Sequence, residues 1–301
     1  MTKNILIIGG TSFIGYNLAK KLLRYYNYKI FLLCRKKIIK NKLTNRKIKY
    51  IYCNILNLRK LKKSLPHKYD YVFNFAGNID HKNKTKTYLA HYQGLKNIIK
   101  VLKKKNIKAF VQSGSSLEYG KNASPQDEKM ACSPISYYGK AKYLASKFLL
   151  HNNKYNFKVI ILRLYQVYGP NQKKDRLIPM VINSFLKNKN LKCTNGKQKR
   201  DFIYIDDLIN LFLKIIKTKK LNSGIFNVGS GKPVSVKIVI DNIKKFIKKG
   251  KPIYGAIKMR KDEIKNLYPK INKVKKFFNW NANITLETGL KKTIRFYEGK
   301  N

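Results

Sequence analysis

Acidic residues are scarce in this chain: 14 Asp and Glu stand against 67 Lys and Arg in 301 residues, a formal net charge of +53. So one-sided a balance points first to nucleic acid or an anionic membrane surface. The excess is mostly lysine, however, and is spread over every segment, together with abundant asparagine, isoleucine and tyrosine. All four residue types have AT-rich codons, so a biased genome accounts for the pattern without a dedicated polyanion site. No module that interleaves aromatic and basic residues is visible, and no specific nucleic-acid partner is expected. Non-specific adhesion to polyanions at low salt is expected, and the same field suits a doubly phosphorylated substrate.

Cysteine and histidine are scarce too. Cys34, Cys53, Cys132 and Cys193 have no metal-ligand spacing and the four histidines are scattered, so no metal site is expected. The cysteines read as reduced thiols of a cytoplasmic protein. No apolar run is long enough to span a bilayer, and the first one has the length of a strand, not of a signal-peptide core. Membrane insertion is therefore not expected. Internal repeats and long Pro/Gly/Ser linkers are lacking, and the length suffices for a sizeable core in two lobes.

What is present begins at the amino terminus. Asn4-Ile5-Leu6-Ile7-Ile8 reads as a strand buried on both faces. Gly9-Gly10-Thr11-Ser12-Phe13-Ile14-Gly15 follows, and then a helical pattern through Leu18, Leu22 and Leu23. Strand, glycine turn and helix in that order form a dinucleotide fingerprint, in which bare backbone and first-turn N–H groups meet a pyrophosphate. Ser12 stands where a middle glycine is usual and tolerates positive φ poorly, so the turn geometry is open. Further on, Ser136-Tyr137-Tyr138-Gly139-Lys140-Ala141-Lys142 places Tyr138 one helical turn before Lys142. A cation beside a phenol favours the phenolate, which equips Tyr138 to move a proton at an alcohol or carbonyl.

The chain resembles an extended short-chain dehydrogenase/reductase of the nucleotide-sugar epimerase/dehydratase/reductase type. Six blocks carry the resemblance beyond the Tyr138/Lys142 pair: Gly9 to Gly15, Tyr71 to Gly77, Ser113 to Gly120, Leu162 to Pro170, Arg200 to Asp207, and Phe226 to Gly231. It implies a Rossmann-like α/β fold, a doubly wound parallel sheet with a smaller carboxy-terminal substrate lobe. The βα alternation agrees. Strands are predicted at 4–8, 29–34, 48–53, 70–76, 108–113 and 158–164, and helices at 13–25, 57–64, 89–104, 137–152, 177–188, 235–249 and 286–297. The cofactor domain is expected over 1–169, with a return near 204–232, and the substrate lobe mainly over 170–301.

The resemblance also assigns residues. Ser115, Tyr138 and Lys142 match the catalytic set, with Ser116 the alternative serine. Gly9, Thr11, Ser12, Phe13, Ile14, Gly15, Arg35, Asn54, Ile55, Phe75, Ala76 and Gly77 would line the cofactor, with Tyr138 and Lys142. NAD binders usually carry an acid at the end of the second strand, but Phe31 to Lys37 has none. Arg35 there suits a 2′-phosphate, which favours NADP(H) over NAD(H), unless Arg35 is one more cation in a basic chain. Ser115, Gln166, Arg200 and Arg260 would meet a nucleotide-sugar substrate, the two arginines at its diphosphate. His91 replaces the asparagine the family commonly has three residues before Gly94.

Three reactions compete. Family dehydratases need an acid two residues before the motif tyrosine, and that position is Leu117; Glu118 is one residue along a presumed strand and would point the other way. Reduction of a nucleotide-linked 4-keto-6-deoxy sugar is favoured over 4-epimerisation with tightly held NAD. A non-catalytic NADP-sensing regulator is the alternative from another class. A homodimer is expected through helices 89–104 and 137–152, on apolar stripes of Leu95, Ile98, Ile99 and Leu102 and of Tyr143, Leu144, Phe148 and Leu149.

Overall fold

The computed structural model describes residues 2–25, 27–37, 43–77, 83–151, 155–259 and 263–299. In chain order the elements are β1 (Lys3–Ile8), α1 (Phe13–Leu22), β2 (Tyr28–Cys34), β3 (Ile48–Tyr52), α2 (Leu58–Ser64), β4 (Tyr71–Asn74), α3 (Lys84–Tyr88), a π-helical turn (Leu89–Gln93), α4 (Gly94–Leu102), β5 (Ala109–Ser115), a 3₁₀ turn (Ser116–Glu118), α5 (Tyr137–His151) and β6 (Lys158–Leu164). There follow β7 (Gln166–Tyr168), α6 (Leu177–Leu186), β8 (Asn190–Lys192), β9 (Lys199–Tyr204), α7 (Ile205–Lys217), β10 (Gly224–Val228), β11 (Pro233–Ser235), α8 (Val236–Ile247), β12 (Lys251–Ile253), β13 (Asn266–Leu267), α9 (Asn272–Phe278) and α10 (Leu286–Glu298). The chain forms two compact units. One comprises Met1–Asn122, Glu128–Leu164 and Phe212–Phe226; the other comprises Ala123–Asp127, Tyr165–Leu211 and Asn227–Asn301.

The first unit is built on a seven-stranded sheet in the order β10-β6-β5-β4-β1-β2-β3, and the pairs β1–β2, β1–β4, β2–β3, β4–β5 and β5–β6 are parallel. The order reverses direction between β1 and β4, the switch point where open α/β sheets bind ligands at the strand carboxyl ends. Strands β1, β4 and β5 are apolar runs because helices cover both faces of the sheet. Ile5 to Ile8 and Val72, Phe73, Phe110 and Val111 are all fully buried. Each such side chain contributes roughly 1.5–3 kcal/mol on leaving water.

Two expectations are corrected here. The helix predicted over 89–104 starts earlier, at Lys84, and contains the π-helical turn that holds His91. Its apolar stripe is not free to pair with a second copy. Leu95, Ile98, Ile99 and Leu102 are at most 3% exposed and pack into the core with Leu61 of α2 and Leu149 of α5. Among the described residues, Tyr88, Tyr137 and Leu144 are large apolar side chains left exposed here, around a groove that Leu89 and Ala141 also line.

In the second unit β9 is the hub: β7 and β13 pair with it in parallel and β11 antiparallel. Asp201 of β9 is fully buried and accepts the Ser230 and Gly231 N–H groups, each at 2.6 Å. Asp207 accepts the Asn283 and Ile284 N–H groups at 3.2 and 3.0 Å, while its carbonyl takes the Trp280 indole N–H at 2.9 Å. The Asp201 carboxylate thus joins the block at 200–207 to the Phe226–Gly231 block, and Asp207 ties the same block to the segment before α10. Among the described residues no helix is long and apolar enough to cross a membrane.

Candidate active site

The turn after β1 is built by backbone. Gly9 has φ +81°, and a Cβ there would stand 2.9 Å from the Ala76 nitrogen. A Cβ on Gly15 would stand 2.4 Å from the Gly9 carbonyl. Only glycines let strand, turn and helix approach so closely. Ser12 resolves the open question of turn geometry: it is extended (φ −68°, ψ 159°), needs no positive φ, and caps α1 by accepting the Gly15 N–H at 3.1 Å. By helix geometry the N–H groups of Phe13 and Ile14 have no intrahelical acceptor. This bare cradle at a ten-residue helix fits the pyrophosphate of a dinucleotide. Thr11 is exposed, and Phe13 and Ile14 are half-buried.

Tyr138 and Lys142 aside, the other residues expected at the cofactor lie just past the ends of β2, β3 and β4. Phe75 and Ala76 follow β4, where the Ala76 N–H meets the Asn74 side-chain oxygen at 3.2 Å. Arg35 is exposed just past β2. Asn54 uses its side-chain oxygen on the Leu56 N–H at 3.1 Å, and buried Asn97 of α4 donates to the Ile55 and Leu56 carbonyls at 3.0 and 3.2 Å. Asn97 was missed in the sequence. Gly77 lies beneath His91: a Cβ on it would stand 2.0 Å from the imidazole Cε1.

Tyr138 and Lys142 sit in the first two turns of α5, capped where the Gly139 N–H meets the Ser136 hydroxyl at 3.0 Å. The Tyr138 ring meets His91 edge to face, centroids 5.1 Å apart at 89°, and the Lys142 ammonium stands 5.7 Å from the Tyr138 centroid. Lys142 is 3% exposed and donates to the Ser113 carbonyl at 2.8 Å and its hydroxyl at 3.3 Å. Burial pushes the Lys142 ammonium down to about 8, and the Glu118 carboxylate works in the opposite direction. Ser113 is itself fixed, because its hydroxyl donates to the Asn74 carbonyl at 3.0 Å. Asn74 in turn donates to Gln112 at 2.8 Å, and Gln112 to the Ser113 carbonyl at 3.0 Å. Asn74, Gln112 and Ser113 were not predicted as site residues; their only signal was three polar side chains at the ends of otherwise apolar strands.

Ser115 ends β5. Its hydroxyl oxygen accepts the Leu117 N–H at 3.2 Å, which leaves the O–H free to donate. Gly139 lets α5 approach this turn, since a Cβ there would stand 2.4 Å from the Leu117 carbonyl. Ser116 is buried in the 3₁₀ turn. Glu118 is not on a strand, contrary to expectation. It closes the 3₁₀ turn, fully buried, with one carboxylate oxygen on the Ser115 N–H (2.8 Å) and the other on the Ser146 hydroxyl (2.9 Å) and Arg163 Nε (3.0 Å).

Of the residues expected at the substrate, Ser115 belongs to the first unit and Gln166 and Arg200 to the second. Gln166 is exposed on β7, and Arg200 is buried on the neighbouring β9. Arg200 donates to the Lys199 carbonyl at 2.7 Å and pairs with Glu263. Burial pushes its guanidinium down from the ordinary value, and Glu263 opposes this. Arg260 lies outside the described residues.

Residues 5–229 match the model of the NAD dependent epimerase/dehydratase family. The chain is 30% identical to CDP-abequose synthase of Salmonella muenchen, over 99% of each protein. It is 27% identical to UDP-N-acetyl-alpha-D-glucosaminuronate decarboxylase of Bacillus cytotoxicus, over 99% of this chain and 98% of the relative. Among solved structures it is similar to UDP-glucose 4-epimerase of Thermotoga maritima with UDP-glucose, at a TM-score of 0.91 and 25% identity over 99% of each chain.

Proposed function

Because the chain belongs to the NAD dependent epimerase/dehydratase family, we propose that it is a nucleotide-sugar oxidoreductase in which Ser115, Tyr138 and Lys142 do the protein's part of the chemistry. The observation that carries this reading is the buried Lys142 ammonium held 5.7 Å from the Tyr138 ring by Ser113. When bound, the nicotinamide cofactor supplies or accepts hydride at the reacting sugar carbon. Tyr138 gives its hydroxyl proton to the oxygen on that carbon as a ketone becomes an alcohol, or takes it in the reverse direction. Lys142 stabilises the phenolate that this leaves. Ser115 donates its O–H to the same oxygen and orients it. Arg200 and Gln166 are assigned to the nucleotide diphosphate and the sugar.

Within that chemistry the reading is 4-keto reduction of a nucleotide-linked 4-keto-6-deoxy sugar with NADP(H). Exposed Arg35, with no acid from Phe31 to Lys37, supports a 2′-phosphate. Dehydration lacks support: Leu117 holds the acid's place, and Glu118 is bound by Arg163 and Ser146. The likeness to a UDP-glucose 4-epimerase favours a second reading, 4-epimerisation with tightly held NAD. The names of the three similar proteins span synthase, decarboxylase and epimerase, so they do not choose between the two. Two measurements do. Mass spectrometry of the denatured, as-purified protein detects retained NAD. A panel of nucleotide-linked 4-keto-6-deoxy sugars with NADPH, followed by absorbance of the reduced cofactor, detects reduction. Turnover of NADPH without retained NAD supports the reductase; retained NAD with interconversion of 4-epimers and no net NADPH use replaces it with the epimerase.

A further inference from the structure

The carboxylate of Glu118 has no place in the chemistry above, yet it touches that machinery from beneath. One oxygen takes the Ser115 backbone N–H at 2.8 Å. The other takes the Ser146 hydroxyl at 2.9 Å, and Ser146 is four residues after Lys142, on the same face of α5. Gly114 makes room for it, since a Cβ there would stand 2.8 Å from the Glu118 oxygen. Arg163 of β6, at 3.0 Å through Nε, holds the carboxylate from the far side. It in turn donates to Cys132 Sγ at 2.9 Å and stacks on the Tyr119 ring at 4.3 Å. Side-chain exposure of the pair is 0% for Glu118 and 3% for Arg163.

We propose that Glu118 is a positioning residue of this site: one oxygen fixes the Ser115 backbone, and its buried carboxylate, paired directly with Arg163 and bonded to Ser146 one turn after Lys142, also favours the charged form of the Lys142 ammonium. The segments packed closely on α5 are α3, the π-helical turn, β5, the 3₁₀ turn and β6. Their sequences contain one acid, Glu118. The other titratable groups on these segments are His91 and Tyr92 of the π-helical turn and Lys84, Lys86 and Tyr88 of α3; on α5 itself Tyr138 stands beside Lys142, with Tyr137, Lys140, Tyr143, Lys147 and His151 along the helix. Arg163 and Lys158 lie on β6, with Cys132 and Tyr119 around Arg163. An opposite charge favours the charged form of its neighbour, in accord with the direction in which Glu118 acts on Lys142. Ser115 and Lys142 are thereby set by a single side chain that makes no contact with a reacting atom. This inference rests on the assignment of Tyr138 and Lys142 as the proton-moving pair.

The test reads Lys142 directly in cofactor-free protein labelled with ¹³Cε-lysine. Burial pushes the Lys142 ammonium down to about 8, apart from ordinary lysines near ~10.4, and Lys142→Met identifies its signal by loss. Glu118→Gln keeps an acceptor for the Ser115 N–H and removes the charge. The Lys142 midpoint then moves to lower pH by about one unit, and the alkaline limb of kcat moves with it. Should Glu118→Gln fail to fold because Arg163 is left unpaired, the Lys142 midpoint of Glu118→Gln/Arg163→Gln is compared with that of Arg163→Gln, so that only the Glu118 charge differs, and the downward shift is expected between those two. An unmoved Lys142 midpoint in a folded variant overturns the proposal. If Tyr138→Phe retains turnover, the assignment of the proton-moving pair fails instead, and the lysine titration separates the two failures.

Discussion

Replacing Lys142 by Met tests the central electrostatic claim. The ammonium lies 5.7 Å from the Tyr138 ring centroid. With the ring centroid as the seat of phenolate charge and an effective dielectric of about 20, the attraction is about 3 kcal/mol. Lys142 is 3% exposed, so water screens little of it. If that stabilisation is present only after Tyr138 has given up its proton, its loss lowers kcat on the order of a hundredfold. The assay is initial rate at saturating cofactor, so that any weakened cofactor binding does not enter. Wild type adds a second signature. Lys142 is pushed down to about 8, so its charge is present below that pH and is lost as pH rises through it. The rate of reduction therefore falls across pH 8 in wild type, and this limb is missing in Lys142→Met. Removing Lys142 leaves the Ser113 carbonyl with the Gln112 amide as its side-chain donor, at a cost of about 0.5–1.5 kcal/mol for the lost bond, offset by no longer burying a cation, so Tm is measured alongside. Retention of more than about a tenth of wild-type kcat, where acid–base catalysis alone contributes ~10²–10⁴-fold, refutes the reasoning.

Arg35→Asp weakens NADPH binding and improves the relative affinity for NADH, read by fluorescence titration of each; equal affinities of the unmodified protein for both cofactors sink the assignment. Gly77→Ala places a methyl 2.0 Å from His91 Cε1, and the imidazole is driven toward the Tyr138 ring. The expected cost is about 1–3 kcal/mol of stability together with reduced kcat, and Gly77→Ala/His91→Ala recovers Tm; an unchanged Tm in the single variant means the site yields more easily than close packing allows. We propose self-association through the exposed set Tyr88, Tyr137 and Leu144, where apolar burial outweighs repulsion between highly charged chains once salt shortens the Debye length to ~8 Å. Sedimentation equilibrium at physiological salt checks this, and a single species of monomer mass at micromolar concentration with cofactor present would show it to be wrong.

Much of the site was legible because its signals are short-range. A glycine turn between an apolar strand and an amphipathic helix needs no distant partner to be recognised, and Gly9 adopts the positive φ that the pattern implies. Tyr138 and Lys142 are neighbours by helix geometry alone. The alternation of strands and helices likewise determined a doubly wound sheet, because parallel strands need crossovers. The turn geometry at Ser12 was open, and the folded chain closes it: Ser12 stands outside the helix as an extended cap, and not at a left-handed position.

Tertiary structure decided what the same residues do next. Glu118 looked like a misplaced acid on a strand. It became a buried counter-ion because β5 and β6 pair in a register that sets Gly114 opposite Arg163, 45 residues from Glu118. The stripe of α4 was equally suited to a partner helix or to the core, since periodicity reports an apolar face and not what covers it; packing against Leu61 and Leu149 settled it. His91 over Gly77, Asn97 on the Ile55 and Leu56 carbonyls, and the Asn74–Gln112–Ser113 chain that holds Lys142 are contacts between segments far apart in sequence. The amino-acid sequence by itself determined the strand–turn–helix units and the spacing of the reactive pair, because these depend on backbone geometry over a few residues. Only the folded chain determined the burial and charge environment of that pair, because desolvation and hydrogen-bond partners depend on which strand ends the sheet brings side by side.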